Sequence, residues 1–297
     1  MKSLLFPLYC PPTFLEKLKY SNQFIIGDIV VREFPDHESY VKFNSEIKNK
    51  DIIFIAFLNR PNEKFLSLLF SLKAAKEYGA KSIGLVIPYL PYMRQDCQFS
   101  PGEAITSKYF AQILSDCIDW IVTIDPHLHR YHTLNEIYKC SSHVLHTTEL
   151  ITSWIKKNVS SPLLIGPDSE SEQWVAAIAN IANIPYTVLE KIRHGDRQVE
   201  IKFPNFSNYQ ELTPILVDDI ISTGTTFIET ITYLKKIKMK DPICIGVHAV
   251  FSNEAYKNIL SAGAQKIITC NTIDHPSNTI DVSVLILDCL KKMPFKI

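Results

Sequence analysis

The sequence lacks a charge excess. Its 297 residues carry 31 Lys+Arg against 31 Asp+Glu, so nothing in the balance marks a polyanion-binding surface and nucleic acid is not an expected partner. It also lacks paired cysteines: the seven it has are odd in number and scattered, with no CxxC pair and no metal-ligand spacing. That usage fits a reducing compartment better than a disulfide framework and predicts a cytoplasmic protein. No apolar run reaches the about 18 uninterrupted residues of a membrane span. The apolar start "MKSLLFPLYCPP" is broken by Pro7 and Pro11 and has no small-residue cleavage site, so neither membrane insertion nor secretion is expected. Low-complexity segments and long blocks of like charge are missing as well.

What is there is an alternation of short apolar, β-branched runs with longer amphipathic ones. Strands are predicted at 51–57, 82–89, 120–125, 162–168, 186–192, 214–219, 244–251 and 266–271. Between them lie helical patterns such as "EKFLSLLFSLKAAKEYG", where apolar residues recur at three and four and Gly79 supplies a stop. Strands alternating with helices predict an α/β fold with mainly parallel sheets flanked by helices, which explains why the strands are continuously apolar. At roughly 150 residues per domain the length suggests two domains, and the strand signals pause near 141–160, where "HTTELITSWIKKNVSSP" reads as a connecting helix and loop. Each half contains a strand that ends in acid, "WIVTIDPH" and "ILVDDI", which hints at a duplicated architecture.

The chemistry concentrates in "PILVDDIISTGTTFIET". An apolar run ends at Asp218 and Asp219, followed by Ser222, Thr223, Gly224, Thr225 and Thr226 and then a helical pattern. In open α/β sheets ligands sit at the carboxyl ends of the strands. Hydroxyls and backbone N–H groups at a helix N-terminus make an anion site, and Gly224 lets the backbone approach a phosphate closely. The acids cannot bind that phosphate but can accept from sugar hydroxyls or hold a cation. A phosphorylated sugar satisfies both halves.

"LVDDIISTGTT" resembles the phosphoribosyl-diphosphate binding loop of type I phosphoribosyltransferases and of their relatives, the ribose-phosphate diphosphokinases. The length of two domains favours the diphosphokinases, and other stretches agree. "GLVIPYLPYMRQD" resembles the segment whose Arg-Gln pair contacts ATP, here Arg94 and Gln95; a guanidinium suits a triphosphate because its planar fork stays charged. "FPDHE" is similar to the family's adenine-side segment, with Asp36 and Glu38 matching and Pro35 and His37 departing. "TIDPHLHRYH" places His127 on the family's Mg²⁺- and ATP-associated histidine, and "LLIGPDSESEQW" places Asp168 on its metal-associated acid. "VLEKIRHGDRQVEI" places Lys191 and Arg193, two apart on one strand face, on the catalytic lysine and its neighbouring arginine.

The resemblance therefore implies two phosphoribosyltransferase-type domains, 1–146 binding ATP and 147–297 binding ribose 5-phosphate. It implies MgATP-dependent transfer of a diphosphoryl group to ribose 5-phosphate, Mg²⁺ as the metal, and a homo-oligomer. Asp218, Asp219 and Ser222 to Thr226 would hold ribose 5-phosphate; Asp36, Glu38, Arg94 and Gln95 would hold ATP; His127 and Asp168 would serve the metal; and Lys191, Arg193 and His127 would act on the reacting phosphates. One stretch departs from the pattern. The family's mobile loop supplies basic residues after Arg-Gln-Asp, whereas 97–106 here, "CQFSPGEAIT", has none. A non-catalytic homologue that binds nucleotide or sugar phosphate, and a phosphoribosyltransferase acting on a base, stand beside the diphosphokinase as alternatives.

Overall fold

The computed structural model describes residues 2–168, 171–194, 198–202 and 204–293, and the chain divides into two compact units, 1–145 with 283–297, and 146–282. The first holds β1 (Leu4–Leu8), α1 (Pro12–Tyr20), β2 (Ile25–Ile26), β3 (Ile29–Glu33), β4 (Ser39–Phe43), β5 (Asp51–Ala56), α2 (Pro61–Glu77), β6 (Ser82–Ile87), α3 (Thr106–Ser115), β7 (Trp120–Ile124) and β8 (Ser141–Leu145). Its sheet runs β2-β1-β5-β6-β7-β8 with every pairing parallel. The antiparallel pair β3–β4 forms a separate hairpin.

The second unit holds α4 (Thr148–Asn158), β9 (Pro162–Gly166), α5 (Glu172–Ala182), β10 (Tyr186–Val188), β11 (Glu190–His194), β12 (Gln198–Lys202), β13 (Thr213–Ile220), α6 (Thr225–Lys236), β14 (Ile243–His248), α7 (Ala255–Ala262), β15 (Lys266–Cys270) and β16 (Asn278–Ile280). Its parallel sheet runs β10-β9-β13-β14-β15-β16, and β11–β12 is again a separate antiparallel hairpin. The two units thus follow one path: two strands, a hairpin, then four strands laid down on the other side of the first.

Burial explains the strand composition. Along β5, Ile52 to Ala56 are all buried, and β14 is buried throughout, because residues on both faces are covered. Phe6, Phe43 and Phe54 pack ring on ring in the first core, which also takes Leu68 and Leu72 of α2. The second core gathers Leu163, Leu216, Phe227, Ile231 and Cys244.

The parallel α/β architecture is as the sequence implies, and several local assignments differ. The strand expected at 186–192 is two elements, β10 in the main sheet and β11 in the hairpin, with Leu189 buried between them. The N-terminal apolar patch, broken on paper by Pro7, is the strand β1. Ser3 and Leu5 carbonyls accept from Ile25 and Gly27 on the β2 side, so the nitrogen of Pro7 faces the same side beyond the end of β2, where no ladder bond is lost. The last helix, α8 (Ser283–Lys292), falls within the range assigned to the second domain yet clusters with the first unit, packing on α1. The duplication is real in its path, but the two acid-ending strands that hinted at it are not counterparts. β7 corresponds to β15, and β13 corresponds to β5.

Candidate active site

In the second unit β9 and β13 are neighbours whose onward connections leave in opposite directions, to β10 on one side and β14 on the other. Such a switch point opens a crevice at the carboxyl ends of the strands. Asp168 follows β9, and Asp218 and Asp219 close β13, so three acids converge there. Burial first, then the charge and hydrogen bond of Asp219, then the charge of Asp168, push the Asp218 carboxyl well above the ordinary carboxylate range. The Asp219 N–H, which donates to Asp218 Oδ1 at 2.9 Å, opposes this only in part. Asp168 also has a local duty: its Oδ1 accepts from the Ser171 N–H at 3.2 Å, ahead of α5.

The turn after β13 is stitched to the loop after β14. Ile221 N–H donates to His248 O (3.2 Å), Phe251 N–H to Ile221 O (2.9 Å) and Ser252 N–H to Ser222 O (3.1 Å). From there Thr223 to Thr226 lead into α6. Gly224 is the N-cap with φ +72°, and a Cβ on it would lie 2.6 Å from Ile259 Cδ1, so both conformation and space demand glycine. Thr223 Oγ1 and Thr225 Oγ1 lie 3.1 Å apart, both residues exposed. The first N–H groups of α6 have no intrahelical acceptors and carry the positive end of the helix dipole, so hydroxyls and amides together suit an anion. Lys191 and Arg193 lie on β11 opposite Ile201 and Val199 of β12; their side chains lie outside the described residues.

In the first unit the candidate residues instead follow β6 and β7, the counterparts of β14 and β15. Two residues sit in the left-handed region beside them, Tyr92 at φ +63° and Asp125 at φ +34°. Such backbone costs about 1–3 kcal/mol each and persists where the surroundings enforce it. The buried Asp125 is held by its N–H to Leu145 O (2.9 Å), and it turns the chain into the histidine segment. His127 Nδ1 and His129 Nε2 are 3.0 Å apart, with the rings edge to face at 3.8 Å. Arg94 is exposed and Gln95 half-buried, and the Gln95 carbonyl accepts from Ser107 N–H at 3.3 Å. Asp36 and Glu38 occupy the exposed tip of the β3–β4 hairpin, where Asp36 Oδ1 accepts from Glu38 N–H at 3.2 Å. No hydrogen bond among the described residues joins this tip to Arg94, Gln95 or His127.

Arg130 was not singled out by its sequence pattern. Its Nη1 donates to Asp96 Oδ1 at 2.8 Å, and the Asp96 side chain is only 2% exposed. The separation of 34 residues hides this pair from any local spacing rule.

Residues 4–117 match the N-terminal domain of ribose phosphate pyrophosphokinase, and residues 134–290 match the phosphoribosyl transferase domain. A ribose-phosphate pyrophosphokinase of Saccharolobus solfataricus is 31% identical across 84% of this chain and 87% of its own length. Its namesake in Methanothermobacter thermautotrophicus is 28% identical across 89% and 91%. Phosphoribosylpyrophosphate synthetase from Mycobacterium smegmatis shares the fold over 98% of both chains, with a TM-score of 0.86 at 22% identity.

Proposed function

The chain belongs to the ribose-phosphate pyrophosphokinase family, and we infer from that premise that it moves the diphosphoryl group of ATP to the anomeric hydroxyl of ribose 5-phosphate, giving 5-phosphoribosyl 1-diphosphate and AMP. The observation that carries this reading is the β13–α6 turn: acids at the strand end, then hydroxyls around a left-handed Gly224 opening a helix. The 5-phosphate sits against Ser222, Thr223, Gly224, Thr225 and Thr226, and the ribose hydroxyls donate to Asp218 and Asp219. Arg94 and Gln95 take the polyphosphate of ATP, with Asp36 and Glu38 on the adenine side. In the reaction the anomeric oxygen bonds to the β-phosphorus as the bond to the oxygen bridging to the α-phosphorus breaks. That oxygen leaves with AMP, and the hydroxyl proton passes to solvent. In-line transfer of this kind needs positioning and charge stabilisation above all, which Lys191, Arg193 and His127 supply.

Mg²⁺ fits the second unit. Its donors there are carboxylate oxygens, the ligand type this ion prefers, and the crowding that raises Asp218 is what a cation would relieve. Asp168, with Asp218 and Asp219 beside it, would hold the ion, and His127 would serve the ATP side. When bound, the ion neutralises phosphate charge. No disulfide joins the cysteines among the described residues, which supports a cytoplasmic home. A homo-oligomer is part of the proposal, tested by light scattering.

Incubation with ATP, Mg²⁺ and ribose 5-phosphate tests the activity. AMP formed in step with a diphosphorylated ribose is the expected result. Binding of both ligands without AMP would instead establish a non-catalytic homologue. Diphosphate released from 5-phosphoribosyl 1-diphosphate and a purine or pyrimidine base, without AMP from ATP, would establish a base phosphoribosyltransferase.

A further inference from the structure

Residues 97–106 contain no Lys or Arg, yet the turn they form is firmly wired. Phe99 N–H donates to Glu103 Oε2 (2.8 Å), Gln98 Nε2 donates to Glu103 O (2.8 Å), and Glu103 N–H donates to Ser100 O (3.2 Å). At its base Ser107 N–H reaches Gln95 O. Among the described residues a cation reaches this loop from the segment after β7. The Arg130 guanidinium pairs with Asp96 at the loop entrance and lies 5.1 Å from the centroid of the Phe99 ring. Tyr131, the next residue, donates its hydroxyl to Asp96 O at 3.0 Å.

We propose that Arg130 is a positioning residue for the reaction, a strut that fixes the 97–105 loop to the segment bearing His127 and His129, so that the loop is ordered without cations of its own. This rests on the pyrophosphokinase reading for its catalytic consequence, though not for its structural one. A loop drawn shut by its own Lys or Arg takes its ordering energy from the bound phosphates. Here a planar guanidinium can accept an ion pair in its plane and an aromatic ring on its face at the same time. Phe99 is half exposed, so the ring is kept at the surface where Arg130 can reach it. Lysine in place of Arg130 could keep the ion pair with Asp96 but loses the planar stack.

The test uses Arg130→Gln, Arg130→Lys and Phe99→Leu in the full chain. Phe99→Leu touches an exposed ring and leaves the core intact, so it keeps the experiment decisive should Arg130→Gln unfold. Hydrogen exchange of the peptide over 97–105, with no ligand present, should be several-fold faster in Arg130→Gln and in Phe99→Leu, and intermediate in Arg130→Lys. In turnover both should lower kcat by about tenfold while the KM for ribose 5-phosphate stays within about twofold. Unchanged exchange in both variants would overturn the strut. So would a loss of turnover in Arg130→Gln with wild-type exchange and wild-type Phe99→Leu kinetics, because Arg130 would then be acting on phosphate directly. A wild-type protein that forms no AMP would end the pyrophosphokinase reading, and the ligand-free exchange would still decide the strut.

Discussion

At the scale of the residue, the role proposed for Asp218 is in tension with stability. The residue's folded pKa stands above the ordinary value of 3.8, so the folded state binds more protons than the unfolded one in the window above that value. Stability should therefore fall as pH rises through the window, and the ionised carboxylate should be a standing liability at neutral pH. Asp218→Asn should raise Tm at pH 7, by roughly 2–4 °C for each kcal/mol relieved, and the gain should vanish below about pH 4. Added Mg²⁺ should stabilise the wild type and not the variant, which calorimetry can read; a variant less stable than wild type at pH 7 would refute the assignment. Lys191 offers the complementary case, a residue for which the proposed mechanism gives a role in the reaction alone. Lys191→Ala should lower kcat by about a hundredfold or more, with smaller changes in substrate affinity, as for loss of one well-placed electrostatic group. Steady-state kinetics would detect it, and unaltered turnover would remove lysine from the mechanism.

At the scale of the element, the turn between β13 and α6 is where local sequence says most. Strand, acids, hydroxyls, glycine and helix are adjacent in the chain, so the elements and the roles proposed for them can be read without knowing the fold. Thr225→Val removes one hydroxyl partner of Thr223 and should weaken ribose 5-phosphate by about 1 kcal/mol or more while leaving ATP affinity nearly unchanged. Equal loss of both ligands in calorimetry would show that the turn serves something else. Where partners are distant the sequence is mute. The hairpin β3–β4 has only half-buried or solvent-facing residues, such as Ile29 to Glu33, and so lacks the continuous apolar run that marks β5 or β14. β1 was disguised by Pro7, whose tolerance depends on β2 ending at Ile26. Arg130 finds Asp96 through the parallel order of β6 and β7, which no spacing rule contains.

At the scale of the whole molecule, one path is laid down twice, and only one copy carries the hydroxyl turn. After β5, the counterpart of β13, the chain reads "FLNRPN", with neither an acid pair nor a Ser-Thr run, so the architecture was legible in the alternation of elements while the division of labour lay in a few loop residues. The return of α8 to the first unit was not legible, since its packing partner α1 lies at the far end of the chain. Deleting the chain from Ser283 onward should therefore loosen α1, which α8 packs against, and leave β13 and α6 protected; hydrogen exchange showing the reverse would place α8 with the second unit. The same return has a consequence during synthesis. Residues 146–282 form one uninterrupted span and can fold as soon as they leave the ribosome, whereas the first unit, begun earlier, stays open until residue 283 and beyond have emerged. At about 5–20 residues per second that leaves the unit translated first waiting, for some seconds, for the unit translated after it, with the α1 surface uncovered to chaperones in the meantime.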